Sequence, residues 1–252
     1  MIDKSLYEMI FKRKSFHLFR NVGNEELTSD ELKNIEVYFY NLIPLVKDIK
    51  VKIKITKDTT CHRGQEYCIC FYSEKKDNYL QNIGYLGEQL DLYLVKHNIG
   101  TLWFVIGKVS EKQYDGLDYV IMIAIKKISD ESLYRKDMFK SKRKKASEIW
   151  SSDKYLEIAN IARFAPSACN TQPWFVKEED GVFNVYRYKK PGLRGIMPVK
   201  VVTFYNRIDI GIFLCFLELI LDKEGINYQR TLYIENNENN EFNLFASYKI
   251  GE

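Results

Sequence analysis

The sequence predicts an α+β fold, and three features carry that expectation. Residues 49–55 alternate strictly between lysine and aliphatic side chains, the pattern of a half-buried strand. Two long apolar stretches with helical spacing, one marked by Ile83, Gly87, Leu90 and Leu94 and one over 207–224, are each followed by a glycine. The order helix, proline, strand, long helix, glycine, strand then occurs twice. Pro44 answers Pro166 (166 − 44 = 122), Ile83 answers Ile210 (210 − 83 = 127) and Gly100 answers Gly225 (225 − 100 = 125). Identity between the halves is slight, so the repeat is one of structure. It divides the chain into 1–134, a basic connecting segment 135–149, and 150–252.

From the start of the chain, Leu6, Met9 and Ile10 give a first helix an apolar face, with Asp3 as its cap. Thr28-x-x-Glu31 is a capping box for a second helix, whose buried face is Leu32, Ile35, Phe39 and Leu42 and whose end is set by Pro44. After the lysine-edged strand come a strand over 66–72, the first long helix with Gly100 as its stop, and strands over 101–107 and 119–125. Residues 135–145 concentrate seven cations and read as a solvated linker. Tyr155, Leu156, Ile158, Ala159 and Ala162 then mark a helix closed by Pro166. Strands over 175–179 and 182–188 form a hairpin on Asp180-Gly181. The second long helix stops at Gly225, and strands near 228–234 and 242–250 finish the chain.

Hydrophobic residues make up 46% of the 252 and prolines number only five, which suits a folded protein without long linkers. The net charge of +4 does not announce a nucleic-acid partner. Five cysteines, with Cys68-x-Cys70 lacking a matching pair, support neither a zinc framework nor a disulfide scaffold. They fit buried thiols in a reducing compartment. The N-terminus lacks a signal-peptide pattern, and the longest apolar run, 210–221, is short for a membrane and contains Glu218. A cytoplasmic location follows as an expectation.

Two stretches carry chemistry. Residues 165–174 read Ala-Pro-Ser-Ala-Cys-Asn-Thr-Gln-Pro-Trp. Small side chains there leave backbone amides uncovered for something flat, and Asn170 and Gln172 alternate along an extended segment with a donor and an acceptor each. The same stretch also reads as an ordinary helix–turn–strand corner. The other stretch, Lys12-Arg13-Lys14-Ser15, suits a phosphate with a guanidinium fork, an ammonium and a hydroxyl, or else is a solvated basic helix end.

Pro166-Ser167-Ala168-x-Asn170-x-Gln172-Pro173-Trp174 resembles the flavin-contacting motif of the nitroreductase family of FMN-dependent NAD(P)H oxidoreductases. Arg13-x-Ser15-x-His17-x-Phe19 resembles the family's phosphate segment, departing from it at His17, where a cation is usual. The turn containing Gly100, Thr101, Leu102 and Trp103 resembles a segment bordering the flavin, and Arg143 falls in a basic segment that reaches the phosphate in many members. The resemblance implies a nitroreductase-like fold, and a cofactor site in which Arg13, Lys14, Ser15, His17 and Arg143 hold the FMN phosphate and ribityl chain. Pro166, Ser167 and Ala168 would support the ring, with Asn170 and Gln172 at its edge and Gly100, Thr101 and Leu102 beside it. NADH or NADPH would donate a hydride, and a small acceptor such as a nitroaromatic or quinone would receive it. No side chain is nominated as a catalytic acid or base. The first half has the phosphate segment without the amide motif, and the second has the reverse. A single-chain pseudo-dimer with one FMN accounts for both absences, and implies a monomer, although pairing through another face stays open. A non-catalytic flavin-storage protein, and a nucleic-acid or membrane-surface binder using the basic arm, are the rival readings.

Overall fold

The computed structural model describes residues 2–188, 197–235 and 241–251. In chain order its elements are α1 (Tyr7–Lys12), α2 (Ser29–Tyr40), β1 (Val51–Thr56), β2 (Tyr67–Ser73), α3 (Tyr79–Lys96), β3 (Ile99–Trp103), β4 (Gln113–Tyr114) and β5 (Leu117–Lys127). Then follow α4 (Ala146–Ile149), α5 (Leu156–Ala162), β6 (Trp174–Glu179), β7 (Val182–Tyr188), α6 (Val199–Lys223), β8 (Tyr228–Leu232) and β9 (Phe242–Ile250). Two antiparallel sheets result, in the orders β1-β2-β5-β3, with β4 on β5, and β6-β7-β9-β8. Both sheets place their strands 1-2-4-3 with a long helix between the second and third. In both, the register between the second and fourth strands shifts by one residue, after Phe71 and after Val185, leaving Val120 of β5 and Phe245 of β9 as the extra residues.

Local signals in the sequence shape several elements as expected. Thr28 accepts from Glu31 N–H at 3.2 Å while the Glu31 carboxylate accepts from Thr28 N–H at 2.9 Å, which closes the capping box of α2. Thr28→Ala is expected to cost about 1 kcal/mol, the usual value of an N-cap, read as a shift of the urea midpoint at unchanged slope. Asp180 and Gly181 both take positive φ, 50° and 75°, as the tight hairpin turn requires. Other expectations are corrected. Gly100 does not stop α3. Asn98 does, in the left-handed conformation at φ 56°, and Gly100 lies inside β3, where a Cβ would press on Ile128 and Phe16. The strand expected over 101–107 ends at Trp103. The second long helix begins at Val199, with Pro198 at its cap, well before the expected 207.

α3 and α6 cross at the centre of the molecule, each buried almost all round. A Cβ on Gly84 would collide with the carbonyl oxygen of Ile208 and lie 3.1 Å from Ile212 N. A Cβ on Gly211 would collide with the carbonyl oxygen of Gln81 and lie 2.8 Å from Tyr85 N. The contact is reciprocal: each glycine meets the residue three before, and the residue one after, the other glycine (211 − 84 = 127). The same offset relates Asn98 to Gly225, the left-handed stops of the two helices (225 − 98 = 127). It also relates two buried carboxylates on α3 and α6 (218 − 91 = 127). Asp91 accepts from Thr101 at 2.6 Å and Trp103 at 2.9 Å on β3, and Glu218 accepts from Tyr228 at 3.1 Å and from Arg230 on β8. Those partners also stand 127 apart. The prolines follow suit. Val46 N–H, two residues after Pro44, donates to Asn82 at 3.0 Å, and Ala168 N–H, two after Pro166, donates to Asp209 at 2.9 Å (209 − 82 = 127).

Candidate functional site

A cavity of about 620 Å3 opens where the N-terminal segment, the end of β3, the Pro166 turn and α6 meet. One wall is Ser15 and His17, held along β3 because Phe16 N–H donates to Thr101 C=O at 2.9 Å. Phe19 N–H donates to Arg63 C=O at 2.8 Å, which sets Arg63 on the same wall. The end of β3 from Leu102 and the loop that follows it to Lys108 form the next wall, and Tyr205 of α6 donates to Val105 C=O across it. Pro166, Ser167, Ala168 and Cys169 form the wall opposite, above Ile208, Asp209 and Ile212.

The Pro166 turn is strapped down by hydrogen bonds and strained. Ala168 N–H reaches Asp209, Gln172 N–H reaches Ser167 Oγ at 3.0 Å, and Thr171 Oγ1 reaches Asn206 at 3.2 Å. Cys169, Asn170 and Gln172 take φ of 50°, 56° and 47°, so the stretch is a left-handed turn and not the extended segment its alternation predicts. Non-glycine residues in that region cluster at sites where the surroundings over-determine the backbone. Burial pushes the Asp209 carboxyl up to about 8, against the pull of the Ala168 N–H and Thr171 hydroxyl bonds.

Of the residues singled out from the sequence, Ser15, His17, Leu102, Pro166, Ser167 and Ala168 line the cavity together. The amides do not. Asn170 accepts from Arg143 Nη1 at 2.8 Å and donates to Lys142 C=O at 3.2 Å, while Gln172 accepts from Lys144 N–H at 2.8 Å. Lys144 Nζ also donates to Gln172 C=O at 3.0 Å. Both side chains thus anchor the basic segment, whose backbone groups need partners. Arg13 is buried, bonded to Asp91 through Nε at 2.9 Å and Nη2 at 2.8 Å, with Glu88 at 3.4 Å. It lies behind the cavity wall, its Nη1 3.5 Å from Ser15 Oγ. Burial, then the Asp91 charge, raises the Glu88 carboxyl well above its ordinary range, which leaves Arg13 and Asp91 as a balanced pair. Lys14 donates to Leu133 C=O at 2.8 Å and Gly100 and Thr101 are inside the sheet, so none of the three lines the cavity.

Arg143 lies in a patch of like charge. Burial, then Arg135, Arg13 and Arg163, pushes its guanidinium down to about 10, and burial with Arg13 does the same to Arg135. Both stay cationic at neutral pH, and Arg143 Nε is buried with no hydrogen-bond partner among the described residues. Sequence reasoning passed over Arg63, Lys108, Tyr205 and Asp209, and counted Arg135 only within the basic segment. Asp209 was legible as Asp209-x-Gly211 against Asn82-x-Gly84; Arg63, Lys108 and Tyr205 carry no local signal.

A family model described as "Putative TM nitroreductase" matches residues 5–220. The chain belongs to that nitroreductase family. Its fold is like that of the crystal structure of a protein titled a putative nitroreductase from Thermotoga maritima, with a TM-score of 0.60 and 18% identity over 98% of this chain and 94% of that one. No curated protein matches the chain. Among the described residues this nitroreductase-family chain has no helix long and apolar enough to cross a membrane, and no cluster of His, Cys, Asp or Glu able to hold a metal ion.

Proposed function

We propose that the protein is an FMN-dependent oxidoreductase that takes a hydride from NADH or NADPH and delivers it to a small acceptor such as a nitroaromatic or quinone. The observation that carries this reading is the composite cavity, in which Ser15 and His17 of the first half face Pro166, Ser167 and Ala168 of the second. Its volume falls within the 300–1,000 Å3 typical of small-molecule sites. The residues suit the group. Leu102, Phe104, Ile208 and Ile212 offer an apolar bed for a flat ring, and the small Pro166 turn lets it approach the backbone. Ser15, His17, Arg63 and Lys108 on the cavity walls, with Arg143 and Arg135 nearby and unmatched by carboxylates among the described residues, are the donors for a phosphate. Arg13 and Lys14 act in this reading through the wall they hold, and Asn170 and Gln172 through Arg143 and Lys144, which they position. When bound, a flavin supplies reversible two-electron hydride chemistry. The chain's own residues bind and orient it, and the apolar walls exclude water from the reacting face.

The 127-residue correspondences support a single-chain pseudo-dimer with one working site. Glu235, answering Lys108 (235 − 108 = 127), is tied up by Arg187 at 2.8 Å and Arg207 at 3.0 Å, so the twin position has its own internal charge pairs. The protein is therefore expected to run as a monomer near 29.8 kDa and to act in the cytoplasm. Purified protein should be yellow, or turn so on titration with FMN, with one FMN per chain, and should oxidise NADH or NADPH when a quinone is added. Two flavins per chain would refute the shared site. FMN bound without NAD(P)H oxidation would assign the site to flavin storage. Fragments 1–140 and 141–252 should each bind almost none, since each keeps one wall and exposes one of two helices that bury each other; an isolated half binding FMN like the whole chain would also refute it.

A further inference from the structure

Asp209 is the one carboxylate on the cavity wall among the described residues, only 3% exposed, and it holds the strained turn by two bonds, from Ala168 N–H at 2.9 Å and Thr171 Oγ1 at 3.4 Å. The corresponding position in the first half is Asn82, which holds Val46 N–H through the same kind of bond with a neutral amide. The backbone bond alone therefore does not call for a charge. We propose that Asp209 is a positioning residue whose carboxyl sets the Ala168–Thr171 turn, and that a ligand covering this turn binds with uptake of a proton by that carboxyl. The proposal rests on the flavin reading for the identity of the ligand, and on Asp209 alone for the proton.

The sign follows from burial. The carboxyl already titrates near 8, and a ring laid over it removes more solvent, which favours the neutral form further. Above that pH, binding takes up a proton, so affinity falls as pH rises, by up to about tenfold per unit for one linked proton. The titratable groups around it are Cys169 on the turn, Tyr205 one turn earlier on α6, and His17, Arg63 and Lys108 on the other walls. On α3, Tyr85 donates to Glu218 at 2.6 Å, nine residues further along α6, and Glu88 lies beside Arg13. None of these charges dominates Asp209, whose shift comes from burial.

Two measurements on the full chain test this. Dissociation constants for FMN between pH 7.0 and 9.5 should rise steeply above pH 8 in the wild type and stay flat in Asp209→Asn, which keeps an acceptor without the charge. Asp209→Ala should bind at least about fivefold more weakly at every pH, because Ala168 N–H loses its acceptor and Thr171 keeps only Asn206. The second measurement needs no flavin. Cys169 is the exposed cysteine and the other four are buried, and burial followed by the Asp209 charge raises its thiol. Its reaction with dithionitrobenzoate at pH 8.5 should be roughly threefold faster in Asp209→Asn. Equal FMN profiles in wild type and Asp209→Asn would overturn the proton linkage, equal thiol rates in the two would overturn a charged carboxylate beside the turn, and FMN binding by Asp209→Ala equal to the wild type would overturn the positioning of the turn. No FMN binding by the wild type would instead refute the flavin reading and leave the thiol rates to decide on Asp209.

Discussion

Arg13→Ala is expected to destabilise the whole protein before it reveals anything about phosphate. The guanidinium is 3% exposed and is bonded to Asp91, which is fully buried and also accepts from Thr101 and Trp103. Removing one partner of a buried pair leaves the other charge uncompensated, at about 3–5 kcal/mol. At about 2–4 °C per kcal/mol for a chain of this size, the melting temperature should drop by roughly 6–20 °C. Arg13→Lys should recover only part of this, because an ammonium cannot present both Nε and Nη2 to one carboxylate. The double variant Arg13→Met/Asp91→Asn, which removes both charges and keeps an acceptor for Thr101 and Trp103, should lose less than Arg13→Ala alone. Urea denaturation of the four proteins settles the matter. A stability loss under about 1 kcal/mol, combined with collapse of FMN affinity, would put the guanidinium at the phosphate after all.

The second large effect is expected at the helix crossing. Gly211→Ala sets a methyl group against the carbonyl oxygen of Gln81 and 2.8 Å from Tyr85 N, and Gly84→Ala does the same against Ile208. These are backbone atoms on a buried helix, so no rotamer change relieves them, and α3 and α6 must move apart along their shared face. Overpacking of this kind costs about 1–3 kcal/mol, and the backbone-to-backbone contact places both substitutions at the upper end. That is the net loss after the gain of about 1 kcal/mol that alanine brings to a helix interior. The double variant should lose less than the sum, because helices parted by the first methyl already admit the second. Gly116→Ala, where a Cβ meets nothing within 4 Å and only the φ of 77° opposes it, is the comparison for pure backbone strain. A neutral or stabilising Gly211→Ala would contradict the crossing.

What the chain settles through its sequence is what neighbouring residues decide among themselves. The capping box of Thr28 and Glu31 spans four residues, the Asp180-Gly181 turn two, and the lysine alternation of β1 needs only the period of a strand. The nine-residue Pro-Ser motif was legible for the same reason, as was the pairing of Pro44 with Pro166, which tertiary structure realises through Asn82 and Asp209. Where these residues turn their side chains was decided elsewhere. Arg13 looked like an anion clamp until its partner, 78 residues away on α3, claimed it. Asn170 and Gln172 looked outward until the basic segment, 27 and 28 residues earlier, took their amides. Gly100 looked like a helix stop because glycine usually is one, yet Asn98 supplies the left-handed residue and Gly100 is needed for packing against Ile128. Arg63 and Asp209 reach the cavity only because a loop docks on Phe19 and because α6 crosses α3 at two glycines. Hydrogen bonds and turns act over a few residues and leave a local pattern. Charge pairing and cavity walls depend on how two distant helices cross, and there the tertiary structure alone decides.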